Sequence, residues 1–373
     1  MVGDLIFWCK SCLNTSTRPR ISFDSKGFCN ACQWAEEKKK INWKKRQLLL
    51  KKIFSKKKNN YDCIVPVSGG KDSFYQTYVM SKVHNLRVLC IVVMAHLQTV
   101  EGIENLNLLV DKLGVDLLKI SPRPSTLKKI RRLAFLKYGN PNYAEHRVMF
   151  SGVARAAYFN NVPLVVWGED IGVEFGGNVS TTSAEDGSAQ ELINNDLFRE
   201  TGFEELLEGT IPDEELFFYM YPERETIGQK NIRTIYLGFY DWWDGIKHYY
   251  LAKSFGFQKR KAGLLPGNAI AYDNFDEKLC EVGAWLKFIK LGFWRPHDHC
   301  CYKIWNGYMT RKEAVHQVNK VQYDFPAYLD EFLEYHELTE TDFFECVEKV
   351  RNHEIWHKKN GKWRLRKELT NTN

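Results

Sequence analysis

Six consecutive residues, Ser68-Gly69-Gly70-Lys71-Asp72-Ser73, have the types and spacing to hold a phosphate. Two glycines let backbone N–H groups approach anionic oxygens closely, a helix start aims its positive end at them, and Lys71 adds a full charge. Ser68 and Ser73 supply hydroxyl donors, while Asp72 can cap the helix or help hold a metal ion. The glycine, lysine and hydroxyl spacing is not that of a Walker A loop. The plainer alternative is a glycine turn without a ligand.

Three further groups could do chemistry. Cys9-Lys10-Ser11-Cys12 and Cys29-Asn30-Ala31-Cys32 form two C-x-x-C pairs, which suit a structural zinc ion because each short knuckle presents two thiolates to one centre. An iron–sulfur cluster or redox cysteines are the alternatives. So small a segment buries too little apolar surface to fold unaided, so the metal would supply its folding free energy. The stretch Gly168-Glu169-Asp170-Ile171-Gly172-Val173-Glu174-Phe175-Gly176-Gly177-Asn178 combines carboxylates with glycines and suits magnesium or sugar hydroxyls, with Glu169 and Glu174 the leading candidates. An ordinary acidic solvent loop is the rival. His297-Asp298-His299-Cys300-Cys301 is packed too closely for one well-formed metal site and reads as a polar loop facing substrate, with one histidine available for proton transfer, or as a structural element. Trp242 and Trp243 either line a pocket or belong to the core, and Cys63 and Cys90, inside strand-like runs, read as core thiols.

The elements that must position these groups alternate in type. The apolar run 61–67 reads as a buried strand, followed after the loop by a helix. Runs 87–94, 115–120, 163–168 and 232–237 read as further strands, with helices over 100–113 and 148–159. Such alternation predicts an α/β fold, a parallel sheet with helices on both faces. Ligands of these sheets sit beyond the carboxyl ends of the strands, which gathers 68–73, 95–98, Ser121 and 168–170 around one crevice. The expected organisation is a zinc-binding segment over 1–35, a basic helical linker over 36–60, a nucleotide domain over 61–240 and a helical, aromatic-rich part over 241–373. Residues from about 360 onward are charged and expected to be peripheral.

The formal charge of +7 is local: between 36 and 58, eleven Lys or Arg stand against two Glu, leaving the rest of the chain slightly acidic. That segment reads as a helix that docks RNA or a partner, or as a solvated face. The chain has no apolar run of 18 residues and no signal-peptide pattern at its start, so it is expected to be cytoplasmic and free of the membrane.

The loop resembles the S-G-G-x-D-S signature of the PP-loop ATP pyrophosphatases. Together with the four cysteines, the G-E-x-x-x-x-E-F-G-G stretch from Gly168 to Gly177, and Arg295-Pro296-His297-Asp298-His299, the chain from Cys9 to about 315 resembles the N-acetyl sugar amidotransferases of bacterial surface-sugar synthesis. The continuation His299-Cys300-Cys301 departs from the family's usual pattern. The resemblance implies that ATP and Mg²⁺ are used with Zn²⁺ as the structural ion. Ser68, Gly69, Gly70, Lys71, Asp72 and Ser73 would bind the phosphates, and Lys71, Asp72, Glu169 and Glu174 would serve the chemistry. Asp170, Gly176, Gly177, Trp242, His297 and His299 would face an N-acetylated sugar. It further implies attack of the acetamido oxygen on ATP, release of pyrophosphate, and replacement of AMP by ammonia. No glutaminase motif is recognisable in the chain, so the ammonia would come from a partner glutamine amidotransferase, with a barrel-type subunit as a conduit. The competing functions are tRNA modification by the same adenylation, disfavoured because the basic residues are confined to one segment rather than spread over a broad face, and a non-catalytic nucleotide-binding scaffold.

Overall fold

A computed structural model describes residues 6–54, 60–176, 203–207, 209–222, 230–274 and 277–372. Its centre is a five-stranded parallel sheet in the order β3-β2-β1-β4-β5, built from β1 (Cys63–Pro66), β2 (Val88–Val93), β3 (Asp116–Ile120), β4 (Leu164–Trp167) and β5 (Arg233–Tyr236). The inner strands β1, β2 and β4 read as near-continuous apolar runs because the sheet is covered on both faces there, while edge strand β3 is largely exposed. Cys63 and Val65 of β1, with Cys90 of β2, pack with Phe74, Met80, Leu106 and Leu109. The alternate residues Ile64, Leu89 and Ile91 pack with Val153, Ala156 and Ala157. The first set lies under α3 (Lys71–Tyr78) and α4 (Val100–Leu113), and the second under α6 (Tyr143–Phe159). All five expected strands and the helix over 100–113 are present, whereas the helix expected over 148–159 begins earlier.

The chain runs outward from β1 to β3, then returns to place β4 on the other side of β1. That reversal opens a crevice at the carboxyl ends of β1 and β4, where the connections leave in opposite directions. The loop after β1 and the 168–174 turn after β4 both lie there.

The basic segment is two helices rather than one, α1 (Asn30–Lys38) and α2 (Trp43–Ile53), the second capped by the Asn42 side chain. After the sheet come α7 (Gly245–Ser254), α8 (Cys280–Leu291), α9 (Arg295–Trp305), α10 (Arg311–Val321), α11 (Leu329–His336) and α12 (Glu340–Val350). A hairpin of β6 (Trp356–Lys359) and β7 (Lys362–Leu365) follows. The polar loop expected at 297–301 is instead part of α9, and Pro296 sits in its first turn, where a missing N–H costs nothing. The end of the chain is not peripheral either, because Leu365 and Leu369 are buried in a core shared by the cysteine segment and the C-terminal helices. Among the described residues, no helix is long and apolar enough to cross a membrane.

Candidate active site

Ser68, Gly69 and Gly70 leave β1 and turn sharply into α3. Gly69 has φ +85°, and a Cβ there would lie 2.4 Å from the Gly102 carbonyl oxygen at the start of α4, so the turn excludes any side chain. The Ser68 amide donates to Ser73 Oγ at 2.9 Å, which closes the loop on itself. Gly70 caps α3, putting the first amides of that helix beside the loop.

Lys71 is buried, and its Nζ bridges Asp72 Oδ2 at 2.9 Å and Asp273 Oδ1 at 2.7 Å. Each carboxylate is held in turn by a histidine. His248 Nδ1 meets Asp72 Oδ1 at 2.7 Å, and His299 Nε2 meets Asp273 Oδ2 at 3.3 Å. The amides of Asp244 and Ala269 donate to the other ring nitrogens, which leaves each histidine its N–H for the carboxylate. The result is a chain of five groups, His248–Asp72–Lys71–Asp273–His299. Burial pulls Lys71 toward deprotonation, but Asp273 and Asp72 outweigh it and hold the ammonium above its ordinary range. Burial likewise pushes both carboxylates up, yet Lys71 and the histidines hold them below theirs. Among the described residues, no cation forms an ion pair with Glu169, and Lys71 in the same cavity lowers it only in part. Burial and the neighbouring Asp72 carboxylate push it up to about 7.

Three cavities meet at the loop. The first, about 150 Å³, is lined by Lys71, Asp72, Glu169, Trp243, His299 and Tyr302 among others. Another, about 270 Å³, lies against Ser68, Asp72, Ser73, Gly168 and Glu169. The largest, about 540 Å³, runs from Ser68 past Val93, Met94 and Met149 to α8. Asp72 and Glu169 each face the two smaller cavities.

The other expected site residues divide. Glu174 and His299 line the first cavity. Both Glu174 oxygens are engaged by Lys38 Nζ at 3.0 Å, and one also by Trp34 Nε1 at 3.1 Å. His297 is two residues from His299 on one helix, so the two point to different sides. It stacks on Trp8 at 5.5 Å, and burial holds it at about 3. Trp242 donates to Asn306 Oδ1 and packs against Trp43, while its neighbour Trp243 lines the cavity. Asp170 is buried, and its carbonyl accepts the Glu174 amide. Gly176 contacts the cysteine segment, and Gly177 lies outside the described residues. Sequence reasoning missed Asp273, His248, Tyr302 and Lys38. Asp273 sits in irregular chain between α7 and α8, where no periodicity marks it. His248 was legible only as part of the pattern Asp244-x-x-x-His248, with Asp244 capping α7.

The four cysteines converge. Their sulfurs all lie within 4.8 Å of one another, with Cys9–Cys32 at 3.8 Å and Cys12–Cys29 at 3.6 Å. A tetrahedral ion with sulfur at about 2.3 Å places its ligand sulfurs about 3.8 Å apart, so the set fits a single ion. Amides of Ser11, Asn14 and Cys29 donate to these sulfurs, as does Trp305 Nε1 of α9 to Cys32 at 3.3 Å.

The glycine-rich loop follows the first strand of a parallel α/β sheet and opens the helix after it, as the sequence predicts. Residues 270–370 match the family described as LPS biosynthesis protein WbpG-like, C-terminal domain. Among solved structures it is similar to the U34-tRNA thiolase NcsA from Methanococcus maripaludis with its 4Fe–4S cluster, at 15% identity over 83% of this chain and 88% of that one, with TM-score 0.33. It is also similar to the NH3-dependent NAD synthetase from Campylobacter jejuni subsp. jejuni NCTC 11168 in complex with the nitrate ion, at 16% identity over 52% and 93%, with TM-score 0.27. Overlap this slight carries no weight for function. No curated protein matches the chain.

Proposed function

We propose that the protein is an ATP-dependent amidotransferase that converts an acetamido group of a bacterial surface sugar into an acetamidino group. The observation that carries this reading is the make-up of the 150 Å³ cavity. The WbpG-like domain supplies Tyr272, Asp273, His299, Tyr302, Lys303 and Asn306 to one wall, and the loop supplies Lys71 and Asp72 to the other. An amide carbon is a poor electrophile, so its oxygen must first become a leaving group. The acetamido oxygen attacks the α-phosphorus of ATP, the bond to the β-phosphate oxygen breaks, and pyrophosphate leaves. Loss of the nitrogen-bound proton gives a neutral adenylated imidate. Ammonia then adds to the imidate carbon, and AMP departs with the former amide oxygen. The loop amides and Lys71 would hold the β,γ phosphates. The apolar wall of Val93, Met94 and Met149 suits the nucleobase. Trp243, Tyr272 and Tyr302 offer ring faces to a sugar. Magnesium at Asp72 and Glu169 would offset phosphate charge, and the cysteine centre would hold zinc as a structural ion.

Ammonia would come from a separate glutaminase subunit, with a barrel-type subunit conducting it. The test is pyrophosphate and AMP release by the metal-loaded chain given ATP, magnesium, ammonium salt and a panel of N-acetylated sugars, with tRNA in parallel. Sugar-dependent release with a product lighter by the difference between O and NH is expected, with ammonium but not with glutamine. Release only with tRNA would replace the proposal with RNA modification. Lys71→Met should lower release per folded molecule, with the folded fraction read by circular dichroism, by about a hundredfold or more, since it removes a charge preorganised for the phosphates.

A further inference from the structure

One face of α1 connects the cysteine centre to the cavity. Cys29 caps this helix and Cys32 lies in its first turn, so two of the four sulfurs fix its start. Asn30, Trp34 and Lys38 follow at intervals of four, which places them in a row along the helix. Trp34 and Lys38 reach residues that line the far side of the cavity, and Asn30 reaches the chain just beyond them. Asn30 Nδ2 donates to the Gly176 carbonyl at 3.0 Å, Trp34 Nε1 to Glu174 Oε1 at 3.1 Å, and Lys38 Nζ to both Glu174 oxygens and the Trp243 carbonyl, each at 3.0 Å. The contact is tight. Gly176 has φ +91°, and a Cβ there would lie 2.6 Å from Ile21 and 2.8 Å from Asn30 Oδ1. The Lys38–Glu174 pair is almost wholly buried, with side chains 4% and 7% exposed. A buried pair of this kind tolerates little displacement, since separating it leaves a charge without a partner or water.

We infer that Lys38 is a positioning residue, through which the four-cysteine centre holds Glu174 and Trp243 in place at the cavity. The role of that cavity rests on the function proposed above, but the mechanical link does not. Hydrogen–deuterium exchange therefore tests the link directly, using native protein, chelator-stripped protein, Lys38→Arg, Lys38→Met and the double variant Lys38→Met with Glu174→Gln. The double variant removes both buried charges and so folds even where Lys38→Met alone does not. Faster exchange at 173–176 and around Trp243 is expected in the stripped protein and the double variant. The amides of 69–73 should be unchanged in the double variant, and Lys38→Arg should stay near native. Metal content should stay native in every Lys38 variant, because no cysteine is altered. Stripping that opens 9–32 but leaves 173–176 protected would overturn the inference, as would a double variant with native protection there. If sugar-dependent turnover is found, the double variant should raise KM for the sugar about tenfold with ATP affinity within about twofold, because only the acceptor wall has shifted. A uniform fall in stability with both constants unchanged would make the pair merely structural.

Discussion

At the scale of single residues, the site is governed by which charges have partners. Glu169 shares its two cavities with Asp72 and has no ion-paired cation among the described residues, and its value near 7 lies above the ordinary 4.5. The native state therefore keeps a proton that the unfolded chain has released. The stability this confers is complete below pH 4.5 and is lost as pH rises through 7. Glu169→Gln should flatten that part of the stability profile, as read from urea midpoints between these values. Gly69→Ala tests the loop by geometry alone. A left-handed alanine costs about 1–2 kcal/mol, and contact with the Gly102 carbonyl adds to it, so the variant should be destabilised by about 2 kcal/mol or more and bind ATP weakly by calorimetry. The six loop residues were legible because they are contiguous. Asp273 and His248 were not, because their relation to Lys71 exists only after separate segments fold against α3.

At the scale of elements, the inner strands β1, β2 and β4 could be read because burial on both faces leaves them almost wholly apolar, whereas edge strand β3 carries the exposed Asp116 and Lys119. Turn chemistry misled in one place. Arg295-Pro296-His297-Asp298 has the polarity of a loop, yet Asp298 is half-buried beside Arg18 and Lys287, which pair with it, and the segment is the opening of a helix. Burial pushes the Asp298 carboxyl up, but the two cations hold it well below the carboxylate range. Helix α9 carries His299, Tyr302 and Lys303 to the cavity and Trp305 to the cysteine centre, so two elements lean on one ion site. Cys29→Ser should lower bound metal well below one ion per chain, measured by mass spectrometry of the purified protein. The accompanying loss of stability should be on the order of several kcal/mol if metal binding supplies folding free energy to this segment.

Across the whole molecule, the chain is not a row of independent pieces. Trp8 and Leu13 share a core with Leu286, Ile289, Trp294 and Leu365, so the N-terminal segment is completed by residues from the far end of the sequence. Leu13 even donates its amide to Cys301 Sγ at 3.3 Å, and Arg311 reaches the carbonyls of Cys9 and Cys12. Sequence reading separated the cysteine segment from the C-terminal helices because the signals for each are local, and a packing relation between distant segments leaves no trace in spacing. A chain ended after residue 278 should be recovered with little bound metal, since it keeps all four cysteines but loses the helices that enclose them; metal content near that of the full chain would show the knuckles to be self-sufficient.

That shared core sets an order of events during synthesis. Cys32 leaves the ribosome about 250 residues ahead of α8, an interval of roughly 10 to 50 seconds at ordinary elongation rates. Throughout it the thiols lack their final enclosure and are open to whichever soft cation the surroundings supply. A metal taken up in that interval would be selected by supply while translation is under way, before the finished fold can discriminate.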